Sequence, residues 1–515
     1  MASLNSVITA DPDVLRNATR SASQSFEIMR AREEALSHLL VAFITSGLFF
    51  MLFPGTVLGV WNLLQISGRA SVVATSPAWM QAHGHAQVFG WVGSFILGIG
   101  FYSIPKLRGG IKSSFSAAWA CWAMWTFGVA VRWIANVYLW EWRFLLPLSA
   151  LLELSAFLIF FRAVSQHKPE DPSKSGLVPW VTVVISAAVG LLLVLSTNLV
   201  GCFYVSLRGA TPAFPHVFDQ RFLGLMAWGF LVPFVWGFSA KWMPVFLGLK
   251  SLRPRLLLAA VAVNVSALAL TIGGVGIIGS CTFVLGVALV IAALRMFEPS
   301  VKEAKTRGVH SSFPYFVRIA YAWLSIAALL GVAAVRWDLS GGIWGASRHA
   351  LTVGFVAVMI LCVGQRILPA FAGMRLLWST KLMFVSLALL NLGCVLRVSC
   401  EAIAYQGYAE WPWKILPASG FIELTGLTIF ALNLAGTFVF QPVPTNNSIR
   451  SEKLFASDLQ KTSGRDNSRD SATSGKNQQF IWVIQTRFSG CIYINDISRT
   501  AQAARRSYRW WRPPI

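Results

Sequence analysis

Charge is scarce in this chain: Asp, Glu, Lys and Arg make up 12% of 515 residues, and acidic residues are the rarer kind, 21 against 43 basic. About 25% charge is usual for a soluble domain, so the composition excludes an ordinary water-soluble globule. Cysteine is sparse as well. The seven, Cys121, Cys202, Cys281, Cys362, Cys394, Cys400 and Cys491, include no Cys-x-x-Cys and no Cys-x-x-Cys-His. That argues against covalently attached c-type haem and against a clustered thiolate metal site. Residues 1–36 lack the basic start and apolar core of a signal peptide; polar and mixed in charge, they read as a cytoplasmic N-terminal tail. Residues 443–515 begin rich in Ser, Asn and Lys and read as a largely disordered, basic cytoplasmic tail.

What the chain has in excess is apolar surface. Hydrophobic residues reach 55%, more than a soluble core can bury, and the mean hydropathy is +0.60. Runs of about 20 apolar residues, each enough to cross a ~30 Å hydrocarbon core at ~1.5 Å per residue, recur along the chain. Twelve spans are expected, at 38–63, 80–105, 114–139, 144–166, 178–203, 220–247, 254–273, 275–297, 315–335, 346–369, 379–405 and 414–440. The fold class is therefore all-α, a polytopic membrane protein with its membrane domain over 37–442. Every even loop is basic, as with Lys106 and Arg108, Lys250 and Arg253, or Lys302 and Lys305, whereas odd loops are poorer in positive charge and rich in Trp. Short basic loops stay in the cytoplasm, which puts both termini there and implies a bacterial inner membrane. The +22 formal charge is then a signal of topology, and no nucleic-acid partner is needed to explain it.

The first four spans resemble the last four. Span two reads His85-Ala-Gln-Val-Phe-Gly90, followed by Gly100 and Pro105; span ten reads His349-Ala-Leu-Thr-Val-Gly354, followed by Gly364 and Pro369. Span six keeps Gly229 and Pro244 at the same separation, with Gly224 where the histidine would stand. Span three has Gly128-x-x-x-Arg132 and span eleven Gly393-x-x-x-Arg397; span four has Leu146-Pro147-x-Ser149-x-x-x-Glu153 and span twelve Leu416-Pro417-x-Ser419-x-x-x-Glu423. Three four-helix repeats, at about 37–170, 175–300 and 310–442, account for this, with a His, an Arg and a Glu kept in the first and third.

Ionisable side chains inside a bilayer are costly, so they usually face the bundle interior and mark function. His85 and His349 lie at equal depth on separate helices, one to two turns below the external face. Neutral imidazoles so placed suit axial ligation of a b-type haem between spans two and ten. Arg132 and Arg397 would stand where its propionates emerge, since a guanidinium pairs a carboxylate bidentately. Glu153 and Glu423 lie deeper and suit orienting a ligand or relaying protons. His83 precedes His85 by two residues, so on a regular helix their side chains diverge by about 200° and only one faces a given cofactor. Each of these residues also has a plain reading: interhelical hydrogen bonds for the histidines, snorkelling for the arginines.

The segments His83-Gly-His85-Ala-Gln-Val-Phe-Gly90 and His349-Ala-Leu-Thr-Val-Gly354 resemble the NnrS family. Its patterns are H-x-H-E-M-x-F-G in an early helix and H-A-L-T-x-G late in the chain. The resemblance implies a twelve-helix, haem- and copper-containing membrane protein of the nitric oxide response, with His83, His85 and His349 as candidate ligands. Ala86-Gln87 departs from the family's Glu-Met. The architecture is also similar, more distantly, to the catalytic subunit of haem-copper oxidases. The histidines those enzymes use for copper have no counterpart in spans six and seven here. A standard oxygen or nitric oxide reductase is therefore not expected, and copper has no additional histidines to hold it. The expected partners are the bilayer, nitric oxide and an electron donor. The contrasting expectation is a cofactor-free transporter or channel, its Glu153, Glu423 and arginines lining a proton or anion path.

Overall fold

Apolar runs in a bilayer must satisfy their backbone polar groups internally, and every expected span is helical. The computed structural model describes residues 12–71, 75–107, 115–165, 178–373 and 376–440, among which there is no strand. The chain divides into two units, Met1–Pro442 and Val443–Ile515; the tail expected in the second lies outside the described residues.

Among the described residues, eleven helices are long and apolar enough to cross a membrane. They are α1 (Arg30–Arg69), α2 (Pro77–Ile104), α4 (Trp142–Ser165), α5 (Pro179–Arg208), α6 (His216–Phe246), α7 (Pro254–Ile272), α8 (Gly276–Leu294), α9 (Phe313–Trp337), α10 (Gly342–Phe371), α11 (Thr380–Tyr405) and α12 (Trp411–Phe440). The remaining expected span is α3, Phe115–Tyr138, as long as α4 at 24 residues. Four Trp, Asn136 and Arg132 lower its hydropathy below that of its neighbours. Helix begins upstream of α1, at Pro12, so part of the polar N-terminal segment is continuous with the first span. Pro77, Pro179 and Pro254 open α2, α5 and α7, where a missing N–H costs nothing.

The packing order makes a ring of three four-helix units. Within the units α1 packs on α2, α3 on α4, α5 on α6, α7 on α8, α9 on α10 and α11 on α12; between them α4 meets α5, α8 meets α9, and α12 returns to α1. The second helix of each unit is innermost. In α2, α6 and α10 the buried share of the apolar stretch is 83, 56 and 72%, against 22–50% in the other eight. Large apolar side chains such as Phe127, Leu193, Val200, Leu207 and Leu432 point outward, as a lipid-facing surface requires.

Each inner helix changes to π geometry at the same place in the repeat: Ala86–Gly93 after His85, Leu225–Leu231 after Gly224, and Ala350–Ala357 after His349. A π turn inserts one extra residue and re-aims the side chains around it, and such turns concentrate at functional sites. The repeated glycine of each π segment is where the unit's first helix crosses. A Cβ on Gly90 would stand 2.6 Å from the Phe50 Cβ of α1, one on Gly354 2.5 Å from the Trp323 ring of α9, and one on Gly190 of α5 1.9 Å from the Gly229 carbonyl oxygen. Small residues let helix backbones close up where lipid supplies no hydrophobic drive. A fourth π segment, Met51–Val57 of α1, contains Pro54. Gln87 of α2 donates to its Met51 carbonyl (3.2 Å) and to Thr56 Oγ1 (2.9 Å), so the residue that departs from the NnrS pattern ties α2 to the irregular turn of α1.

Two basic loops are clamped together outside the bundle. Glu298 pairs with Arg295 at 2.7 Å and with Arg253, of the α6–α7 loop, at 3.1 Å. The Arg295 hydrogen bond, with Arg253 and Lys250 nearby, holds the Glu298 carboxyl below the usual carboxylate range.

Candidate functional site

The two histidines of His83-Gly-His85 leave α2 in different directions. His83 reaches α1, where Nδ1 lies 2.9 Å from the Gly55 carbonyl oxygen. Its ring rests over Gly59, at which a Cβ would stand 2.5 Å from His83 Cε1. A carbonyl only accepts, so Nδ1 carries the proton and Nε2 keeps its lone pair. His349 is held the same way: Nδ1 lies 3.0 Å from the Gly345 carbonyl oxygen one turn back and 3.0 Å from Glu401 Oε2. Both partners are acceptors, and Nε2 is again the free nitrogen.

Around His349 the third unit assembles its polar set. Arg397 Nε stands 3.1 Å from Glu401 Oε2, not aligned for a hydrogen bond, and Arg397 Nη1 is buried without a partner. Glu423 Oε1 is likewise buried and unpartnered. Its side chain fills the space that the missing Cβ of Gly393 leaves, the ideal Cβ position being 2.5 Å from Glu423 Cγ. His349, Glu401 and Arg397 thus meet between α10 and α11, with Glu423 of α12 lodged at Gly393, one turn from Arg397; His83 is held against α1.

His85 belongs to another cluster. Its Nε2 lies 3.1 and 3.3 Å from the two carboxylate oxygens of Glu153, and its ring stacks on Phe89 with centroids 4.5 Å apart. Glu153 also accepts from Asn198 Nδ2 at 3.3 Å; Cys202 Sγ donates weakly to Asn198 Oδ1 at 3.7 Å and receives Arg132 Nη1. The His, Arg and Glu read from the first repeat therefore do come together, joined by two α5 residues. Glu153 is fully buried and His85 nearly so. Breaking a buried pair on one side strands the other group, at about 3–5 kcal/mol. Glu153→Ala should lower the detergent-solubilised unfolding midpoint by that equivalent, whereas Glu153→Gln, which still accepts from His85, should cost about 1 kcal/mol. Equal losses in the two variants would show the pair to be unimportant.

Several polar residues here escaped the repeat. Glu401 has Asn136 as its counterpart in the first unit, so a search for shared residues passes over it; its i+4 spacing from Arg397 was the available signal. Asn198 and Cys202 lie in the unit that lacks the histidine. Arg348, beside His349, hydrogen-bonds Gln220 of α6. Among the described residues no group of three or more His, Cys, Asp and Glu is arranged to hold a metal ion.

Residues 242–436, less than half of the chain, match the family described as "Domain of unknown function (DUF8744)". The match takes in His349, Arg397, Glu401 and Glu423 and stops short of His83 and His85. No curated protein matches the sequence. Among solved structures, a haem-copper terminal oxidase determined as a dimer by cryo-EM aligns over 79% of this chain and 84% of its own, with a TM-score of 0.61 and 12% identity. The chain is thus an integral membrane protein with the fold of a haem-copper oxidase. At that identity the likeness concerns the fold alone.

Proposed function

We propose that this protein binds a b-type haem between α2 and α10, near the external face, and acts in the response to nitric oxide as its resemblance to the NnrS family implies. The observation that carries the reading is the matched state of His83 and His349. Each gives its Nδ1 proton to a backbone carbonyl, at 2.9 and 3.0 Å, and keeps Nε2 for a metal, the orientation that bound imidazoles adopt. Arg397 has a buried, unused Nη1 suited to a propionate, and Glu401 steadies both His349 and Arg397. When bound, the haem would supply a redox centre. The pairing of His85 with His349, which equal depth suggests, would require His85 to leave Glu153. His83 needs no such change, and we assign it as the axial partner. The protein would sit in a bacterial inner membrane with both termini cytoplasmic and take electrons from a donor. The sixth helix carries a histidine only at its first residue, His216, and α7 carries none, so a standard oxygen or nitric oxide reductase is not proposed.

The second reading, a cofactor-free transporter of protons or anions, is favoured by the His85–Glu153–Asn198 cluster, whose groups are all committed to one another. A reduced-minus-oxidised visible spectrum separates the two. Protein purified from haem-replete cells should show a Soret band and sharp reduced α and β bands; a colourless preparation would sink the haem reading and leave the transporter.

A further inference from the structure

The two basic loops that Glu298 clamps together are a folded element in their own right. Gly248, at φ +66°, comes so close to the α8–α9 loop that a Cβ there would stand 2.1 Å from the Lys302 carbonyl oxygen. Its own carbonyl accepts from the N–H groups of Val301 (2.9 Å) and Lys302 (3.1 Å), and the Phe246 carbonyl accepts from the Lys305 N–H at 2.9 Å. Arg318 of α9 closes the far side, donating through Nε to the Met296 carbonyl at 3.1 Å and through Nη2 to Ser300 Oγ at 3.3 Å. This platform lies where α6 and α8 end and α7 and α9 begin, which is headgroup depth in a bilayer. Lys241, near the same end of α6, marks that level: its ammonium lies 5.2 Å from the Trp180 ring centroid and 5.9 Å from that of Trp242, and aromatic rings of this kind belong to the membrane interface.

From Lys241 to Arg318 the chain carries nine Lys and Arg against two Glu, all of them at this end of the helices. Of the two carboxylates, Glu298 is spent on Arg253 and Arg295. Lys250, Arg255, Lys302, Lys305 and Arg307 are exposed, and none of the five is in an ion pair among the described residues. Topology accounts for basic residues in these loops; it does not account for their being fixed on a rigid platform around exposed apolar side chains. Phe297 and Val301, 52 and 53% exposed, lie between Arg295 and Lys302 in the α8–α9 loop. Bases set around apolar anchors match an anionic membrane surface, where the charges meet phosphates and the apolar groups enter the acyl boundary. We infer that the platform of the α6–α7 and α8–α9 loops binds the headgroups of anionic phospholipids, with Phe297 and Val301 inserted beside them. The inference rests on the membrane-spanning fold and stands apart from the haem reading.

The test is native mass spectrometry of the detergent-purified full chain titrated with phosphatidylglycerol or phosphatidylcholine of identical acyl chains, with thermal unfolding alongside. Wild-type protein should retain phosphatidylglycerol roughly tenfold or more in preference, the scale that a few bases near an anionic surface supply, and should be stabilised by it. Lys302→Gln, Lys305→Gln and Arg307→Gln combined should remove the preference. The same change of charge at the opposite end of the bundle, Arg69→Gln, Arg208→Gln and Arg336→Gln combined, should leave it intact. If both triple variants lose it alike, net charge and not the platform governs binding and the inference falls, as it does if the wild type shows no preference. Phe297→Ser with Val301→Ser keeps every charge and should weaken retention, and inorganic phosphate at constant ionic strength should not reproduce the stabilisation. Retention untouched by the serines, or stabilisation by phosphate alone, would make this a site for a soluble anion and overturn the lipid assignment.

Discussion

Alanine at His349 is expected to remove the Soret band of the purified protein, alanine at His83 to do the same, and alanine at His85 to leave it in place. The first two changes each remove one of two nitrogens that face away from their own hydrogen bonds. The third removes a ring whose Nε2 is already on Glu153. Expression in the membrane should be unchanged for His349→Ala, whose ring is partly exposed, 27%. His85→Ala should instead appear as a stability loss, because Glu153, at zero exposure, is left with Asn198 alone. Glu401→Gln is the graded variant. It retains an acceptor for His349 Nδ1 but removes the charge that makes the imidazole a stronger donor to metal, and partners of this kind typically tune affinity by roughly 10–100-fold. Visible spectroscopy with haem titration reads all four. A Soret band lost in His85→Ala and kept in His83→Ala would reverse the assignment of the axial pair.

The second large effect concerns a residue with no polar atom in its side chain. Gly190→Ala is expected to prevent accumulation of folded protein or to lower its unfolding midpoint beyond the ~1–3 kcal/mol usual for overpacking. Its Cβ would lie 1.9 Å from the Gly229 carbonyl oxygen and 2.6 Å from the carbonyl carbon. Both are backbone atoms inside a π segment, so no side chain can turn aside, and α5 and α6 would have to separate along their crossing. Gly224 supplies the control. It immediately precedes the same π segment, stands where the other two units carry histidine, and has nothing within 4 Å of a Cβ. Gly224→Ala should therefore be neutral or slightly stabilising, since alanine is favoured over glycine in a helix by ~1 kcal/mol. Fluorescence-detected size exclusion and thermal unfolding of the two variants side by side make the comparison; equal behaviour would show that the α5–α6 crossing tolerates separation.

The repeated glycines also show why the repeat is visible in sequence at all. Gly90 and Gly354 recur because a Cβ there would run into the crossing first helix, and Gly128 and Gly393 because each makes room for a glutamate side chain; in the second unit the tight position at the crossing is Gly190. Such constraints act on single positions, so they survive as spacing. The π geometry at the same places leaves no comparable trace, because one extra residue per turn changes the register of only a few side chains. Nor does the repeat reveal what the units do differently. Glu401 against Asn136, and Gly345 against Gln81, are differences between units, and a search for likeness discards them.

Sequence alone determined that the chain crosses the bilayer as helices, since apolar runs of this length have no other way to satisfy their backbones in lipid. It also determined that a His, an Arg and a Glu recur in two of three units. Only the tertiary structure decided how these were grouped: His349 with Glu401 and Arg397, His85 with Glu153 and two side chains of α5, and His83 against α1. The reason is geometric. Two residues apart on a helix point to different neighbours, and which neighbour carries a carbonyl, a carboxylate or a thiol is fixed by how helices distant in sequence close into the ring.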